Sequence, residues 1–331
     1  MTDIEPAAES AVVVAPEPIP TAPPRSQWAD VWDQFRHHRG AMWGASVFLL
    51  IVFLVAVGPW IYWNDPQFVP TGRDFLTLRD TRPIYMALFD SSAKVNWLHP
   101  LGTDNLGRDI LGRLLIGGRI SLAVGLAAMI LSVVLGTLVG VLAGYFRMLD
   151  GPLMRLTDLF LALPLLPLLL VAVLLFRDRL SGMFGPEGGT FILIVTLVGV
   201  TSWMQTARIV RGDVLALKER EFILAARSIG TTPTKMITRH LLPNVMSPIM
   251  VSATLGIATA IITESALSFL GFGFPPDFPT WGKLLFDAVD RMQLFPERVI
   301  WPGLMISLTV LSVNYVGDGL RDALDPRIRG R

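Results

Sequence analysis

The chain has 331 residues, 52% of them hydrophobic, and its mean hydropathy of +0.54 excludes an ordinary soluble domain. A net charge of +1 is too small a cationic excess for a nucleic-acid partner. The absence of cysteine rules out disulfides, thiolate metal sites and cysteine nucleophiles.

Residues 1–27 are rich in Pro, Ala and Glu without apolar periodicity, the composition of a disordered tail. Trp28, Trp32 and Phe35 then recur at helical intervals beside Arg36 and Arg39, predicting a short helix in the headgroup region. Six apolar runs follow at about 41–63, 121–146, 156–176, 190–210, 245–270 and 299–317. Each has about the 20 residues that a membrane span needs. The first ends in Trp60, Tyr62 and Trp63, which suit an interfacial belt. It is too long, and its polar lead too extended, for a cleaved signal peptide.

The 64–120 connection contains HPLGTDNLGRDILGRLLIGGRISL over residues 99–122. Asp104, Arg108, Asp109 and Arg113 place opposite charges at helical spacings, and Asp104 is a possible cap for that helix. Span two carries Gly136, Gly140 and Gly144 at four-residue steps, a row for close backbone approach, expected first within this chain. Pro164 and Pro167 should kink span three. Glu264 is the one acid well inside an apolar run, about 24 Å along its helix from Pro248. It is expected either at the mouth of a pathway or as a buried hydrogen-bonding group. The last run emerges through Asn314, Asp318 and Asp322, a solvated helix face.

Six spans place both termini on one side, and the charges indicate which. Sixteen Lys and Arg flank the terminal side against 12 on the other. Without the long 64–120 connection, where the positive-inside rule weakens, the other side keeps five. Both termini are therefore expected in the cytoplasm. No G-x-x-x-x-G-K-[ST], H-E-x-x-H or G-x-S-x-G occurs, and the histidines at 37, 38, 99 and 240 lack ligand spacing. Neither catalysis nor a metal site is expected.

Between spans four and five lies a polar segment, EFILAARSIGTTPTKMITRHLLP, residues 221–243. Paired small residues at Ala225 and Ala226, then Gly230, then Leu242-Pro243, suit a short helix and turn lying in another protein's groove. The spacing resembles the cytoplasmic coupling loop of ABC-importer permeases. Leu224 takes the position of the family's glutamate, with Glu221 the nearest acid, and His240 takes that of its isoleucine. HPLGTD, GRD and GGRISL, then ESALSFLGFG, then DGLRDALDPR, also resemble the dipeptide, oligopeptide and nickel permease subunits, C-type, from about residue 30 onward.

The resemblance implies an all-α polytopic permease in a bacterial inner membrane: tail 1–40, first span and extracytoplasmic loop 41–120, and permease core 121–331 with a coupling loop over 212–243. It further implies a homologous second permease chain, two cytoplasmic ATPases that bind the ATP and magnesium, and an extracytoplasmic solute-binding protein. PPDFPTWGKLL, after span five, is expected to meet that donor. The resemblance is compatible with peptides, nickel chelates, opines and sugar oligomers as the solute, with di- or oligopeptides or a related small solute expected, and it implies no cofactor for this chain. The rival reading is an ATP-independent channel or secondary transporter, which usually shows ionisable residues in several spans.

Overall fold

The computed structural model describes residues 27–62 and 64–324. The expectations for the tail before residue 27, for Trp63 and for the end after 324 fall outside them. In chain order come α1 (Gln27–His37) and α2 (Arg39–Ile61), then α3 (Gly72–Leu78) and a 3₁₀ turn (Ile84–Leu88) in the long connection. Next are α4 (Ile110–Tyr145), α5 (Arg147–Ala162), α6 (Leu165–Val200), α7 (Trp203–Lys218) and α8 (Glu221–Ser228). A helical run over 233–244, π-helical through Met236–Leu241, leads into α9 (Met246–Phe269), α10 (Trp281–Val289) and α11 (Glu297–Leu324). No extended strand occurs among the described residues.

Five helical segments are long and apolar enough to cross a membrane, one of them Leu165–Lys218 with 54 residues. Straight, it would reach about 81 Å, against a hydrocarbon core of about 30 Å. It is not straight. Gly185 leaves the helix at φ 77°, ψ 164°. A Cβ on Gly189 would come within 2.5 Å of the backbone of Leu180 and Ser181, so the chain doubles back there. That segment crosses twice, which gives six crossings.

Two expected boundaries move. The apolar run 156–176 is divided: α5 stops at Ala162, and Pro164, whose ring cannot continue the ladder, caps the next helix. α5 lies on the periphery, with only Thr157 buried. The run 190–210 bends at Thr201 and Ser202, between α6 and α7.

The long helix α4 is the hub. It packs against α2, α6, α7, α9 and α10. Its Gly136, Gly140 and Gly144 all face α7 of the same chain: Cβ atoms there would fall 2.6 Å from Thr206 Cβ, 2.6 Å from the Ala207 carbonyl and 2.7 Å from Val214 Cβ. In lipid, where burial of apolar surface drives little, such close approach supplies the dispersion that holds helices together. α4 also repairs α2. Pro59 has no N–H for the Val55 carbonyl, and Arg119 of α4 donates to that oxygen at 2.9 Å and to the Ala56 carbonyl at 2.7 Å.

These contacts fix the faces. Tyr62, at the end of α2, meets Asp109, at the start of α4, so α4 runs back toward the side where α2 began. His38, before α2, lies 3.5 Å from Asp322, near the end of α11. Both described ends therefore share a face with the carboxyl end of α4. α8 is on that face too, because its Ile223 and Ala226 pack in one cluster with Val141 of α4.

Candidate functional site

The 221–243 segment is built as a rigid mount. α7 ends at Lys218, whose ammonium donates at 3.1 Å to each of the last α4 carbonyls, Gly144 and Tyr145. Cations are favourable at that helix end. α8 begins after Arg220 with Glu221 in its first turn, where an acid complements the helix dipole. It closes on Gly230, at φ +79°. The Gly230 amide donates to the Arg227 carbonyl at 3.0 Å and the Thr231 amide to the Ala226 carbonyl at 3.2 Å. This pair is a Schellman closure, which needs a left-handed residue that glycine supplies without steric cost. The turn expected at Gly230 is present.

One part of the expected docking face is corrected. Ala226 is buried inside its own chain, with Ile223, Met236, Leu241 and Val245 around it. A helix offers one stripe every three to four residues to its own core, and Ile223 with Ala226 take that stripe. Phe222, Leu224 and Ala225 on α8, and Ile229 at its carboxyl cap, are instead exposed, Ile229 to 84%. His240 and Leu242 are half-buried and Pro243 exposed in the 233–244 run. The His240 carbonyl accepts from Asn244 Nδ2 at 2.7 Å. Phe222 and Ile229 went unnoticed in the sequence because nothing local shows which stripe faces inward.

α5 braces the same face. Arg211 of α7 holds Asp150 with two hydrogen bonds, one at 2.8 Å, and these keep the Asp150 carboxyl below the usual carboxylate range. Arg208 pairs with Asp158 at 2.5 Å.

Glu264 is fully buried. Its carboxylate accepts from Ser121 Oγ of α4 at 3.1 Å and from Ser268 Oγ at 2.7 Å. Ser121 in turn accepts from the Trp281 amide at 3.2 Å, and Thr280 donates to Ser268 at 3.2 Å. Trp281 is itself fully buried, its indole N–H on the Leu114 carbonyl at 3.0 Å. Of the two expectations for Glu264, the structure gives the buried hydrogen-bonding group. Its side chain is fully buried among the described residues and so reaches no open surface of this chain. The Glu264 carboxyl here unites three elements, α4, α9 and the start of α10, through hydroxyls, as a buried polar group requires.

The 99–113 motif is a clamp on the opposite face. Asp109, not Asp104, caps α4, accepting from the Gly112 amide at 2.6 Å. Asp109 also accepts from Tyr62 at 2.8 Å and contacts His99 Nδ1 at 2.5 Å. Asp104 instead takes Arg108 at 2.7 Å and Arg113 at 2.8 Å, and Arg113 reaches on to Asp287 of α10 at 3.2 Å. Asp80 holds Arg291 at 2.8 Å and Arg298 at 2.9 Å. The partners Asp80, Asp287 and Arg298 were invisible in the sequence, since they lie more than 170 residues from their mates.

With that geometry in hand, the relatives are decisive. The family described as "Binding-protein-dependent transport system inner membrane component" matches residues 132–330, and "N-terminal TM domain of oligopeptide transport permease C" matches 26–77. The chain belongs to this permease family. It is 38% identical to the di/tripeptide transport system permease protein DppC of Pseudomonas aeruginosa, over 95% of this chain and 97% of that protein. It is 34% identical to the oligopeptide transport system permease protein OppC of Bacillus subtilis, over 92% and 91%. The glutathione transport system permease protein GsiD of Escherichia coli O157:H7 is 38% identical over 92% of each chain. A chain of the inward-facing MetNI methionine ABC transporter shares the fold, with a TM-score of 0.51, 18% identity, and coverage of 63% of this chain and 95% of that one. The permease is thus a transmembrane subunit of a binding-protein-dependent ABC importer.

Proposed function

We propose that this permease forms half of a pathway for di- or oligopeptides, and that the ATPase subunit driving it docks on the exposed apolar residues of α8 and its cap. The named transport roles of the three relatives support a peptide solute. A homologous permease chain supplies the other half, and two ATPases bind and hydrolyse ATP on the cytoplasmic side. A soluble binding protein delivers the peptide from outside. Both termini and residues 221–243 are cytoplasmic, in accord with the lysine and arginine bias.

One observation carries this reading. α8 and its cap leave Phe222, Leu224, Ala225 and Ile229 exposed, while Ile223 and Ala226 pack α8 in one cluster with residues of α4, α7 and α9. ATPase closure is a rigid-body motion, and a displacement of α8 must move those spans because a packed core transmits it. Leu224, in place of an acid, makes the docking apolar, so raised salt should release the ATPase only weakly.

The test is ATPase capture by detergent-solubilised complex, alongside peptide uptake in cells. Ile229→Asp should leave the chain in the membrane, since that side chain is 84% exposed, yet cut both capture and uptake at least tenfold. Ala226→Trp tests something else: it should lower the amount of folded chain, because the indole has no room in the cluster. Full capture and uptake by Ile229→Asp would refute docking through these residues.

A further inference from the structure

On the face opposite both described ends, the folded connection between α2 and α4 exposes large apolar side chains that no described residue covers. Leu88 and Phe89, at the 3₁₀ turn, are 84% and 82% exposed, and Trp97 and Leu98 are 76% and 70% exposed. A soluble loop would hide such groups or lack them. We propose that this connection is a foot resting in the outer leaflet of the bilayer, with Leu88, Phe89, Trp97 and Leu98 seated at the boundary of headgroups and acyl chains.

Attachments to the span ends fix its height. The Leu98 carbonyl accepts from Tyr62 at 3.1 Å and from Asn64 Nδ2 at 2.6 Å, directly after α2. The preceding residues of α2, Trp60 and Ile61, are also exposed, and Leu98 is bonded to Tyr62 and Asn64 just beyond them. On the other flank Tyr85 packs edge-on against Trp301, in the second turn of α11, with ring centroids 6.2 Å apart. Arg82 donates to the Leu294 carbonyl at 3.0 Å. The apolar groups are therefore tied at two points to the level where spans leave the membrane, and cannot stand far out in water.

Polarity changes abruptly where the foot should end. Phe89 is followed by the exposed Asp90, Ser91 and Ser92, with Ser92 hydrogen-bonded to Asp90 at 2.9 Å through its amide. That turn is the hydrated side. Aromatic and leucine side chains beside a polar turn match the segregation of an interfacial element, with Trp97 offering an apolar body and a polar N–H.

The inference rests on the membrane reading of α2, and the test separates the two. The chain contains no cysteine, so single cysteines carry a spin label without background from it. Phe89→Cys, Trp97→Cys, Ser92→Cys and Leu50→Cys are reconstituted in the full transporter, with partner cysteines removed, in phosphatidylethanolamine–phosphatidylglycerol vesicles. Collision with oxygen, which concentrates in lipid, is compared with collision with a water-soluble nickel chelate. The labels at 89 and 97 should show oxygen-to-nickel ratios several-fold above that at 92, approaching that at 50 on the exposed side of α2. Ratios at 89 and 97 equal to that at 92, with 50 still in lipid, would overturn the foot alone. A label at 50 that collides with nickel would overturn the span itself. Protection of 89 and 97 from both agents, at all times or only with binding protein added, would assign this face to a protein partner and refute the lipid occupant.

Discussion

Glu264 shows how far a single residue can be read. Its place in an apolar run announces that it matters, but only the fold shows what it does. Burial of a carboxyl with Ser121 and Ser268 as donors makes it a structural knot. Glu264→Gln keeps the shape and two oxygen or nitrogen partners, so the assembled complex should be recovered at near-normal yield. Glu264→Leu strands two hydroxyls and should cost about 1–3 kcal/mol per unpaired group, seen as loss of folded chain on size-exclusion chromatography. Normal yield for both variants with peptide flux abolished would return the residue to the pathway.

At the scale of elements, the pairing of α4 with α7 is the main seam. Gly140 faces the Ala207 carbonyl with no space for a side chain. Gly140→Leu should separate the two helices and lower the melting temperature of the purified complex by several degrees, since overpacking costs about 1–3 kcal/mol or more. An unchanged melting curve would mean that the seam can open without penalty.

Elements that depend on local pattern were legible: long apolar runs gave the crossings, and Gly230 gave its turn. Boundaries were less so. α4 starts at Ile110, 11 residues before the expected span, because Arg113 and Arg119 look like the end of an apolar run. They are tolerated only through Asp104, Asp287 and the carbonyls freed near Pro59. Those partners are distant in sequence, and no local rule finds them. The inward stripe of α8 was hidden for the same reason, since adjacent alanines differ only in what they meet.

For the whole molecule, the common face of α1, α8 and the end of α11 makes orientation a single question. Ala29→Cys should react with an impermeant maleimide only after spheroplasts are opened, and Ser91→Cys should react while they are intact. The reverse pattern would place α8 outside, beyond any ATPase.

The clamp on the face opposite α8 also sets a schedule for biosynthesis. Ser121 waits 143 residues for Glu264, Arg113 waits 174 for Asp287, and Asp80 waits 218 for Arg298. At about 5–20 residues per second, the nascent chain spends on the order of 10–40 seconds with arginines and serines already inserted and their last partners untranslated. During that interval only Asp104 and the α2 carbonyls are available to Arg113 and Arg119. A ribosome that stalls before α10 therefore leaves Arg113 without Asp287 and Asp80 without Arg298.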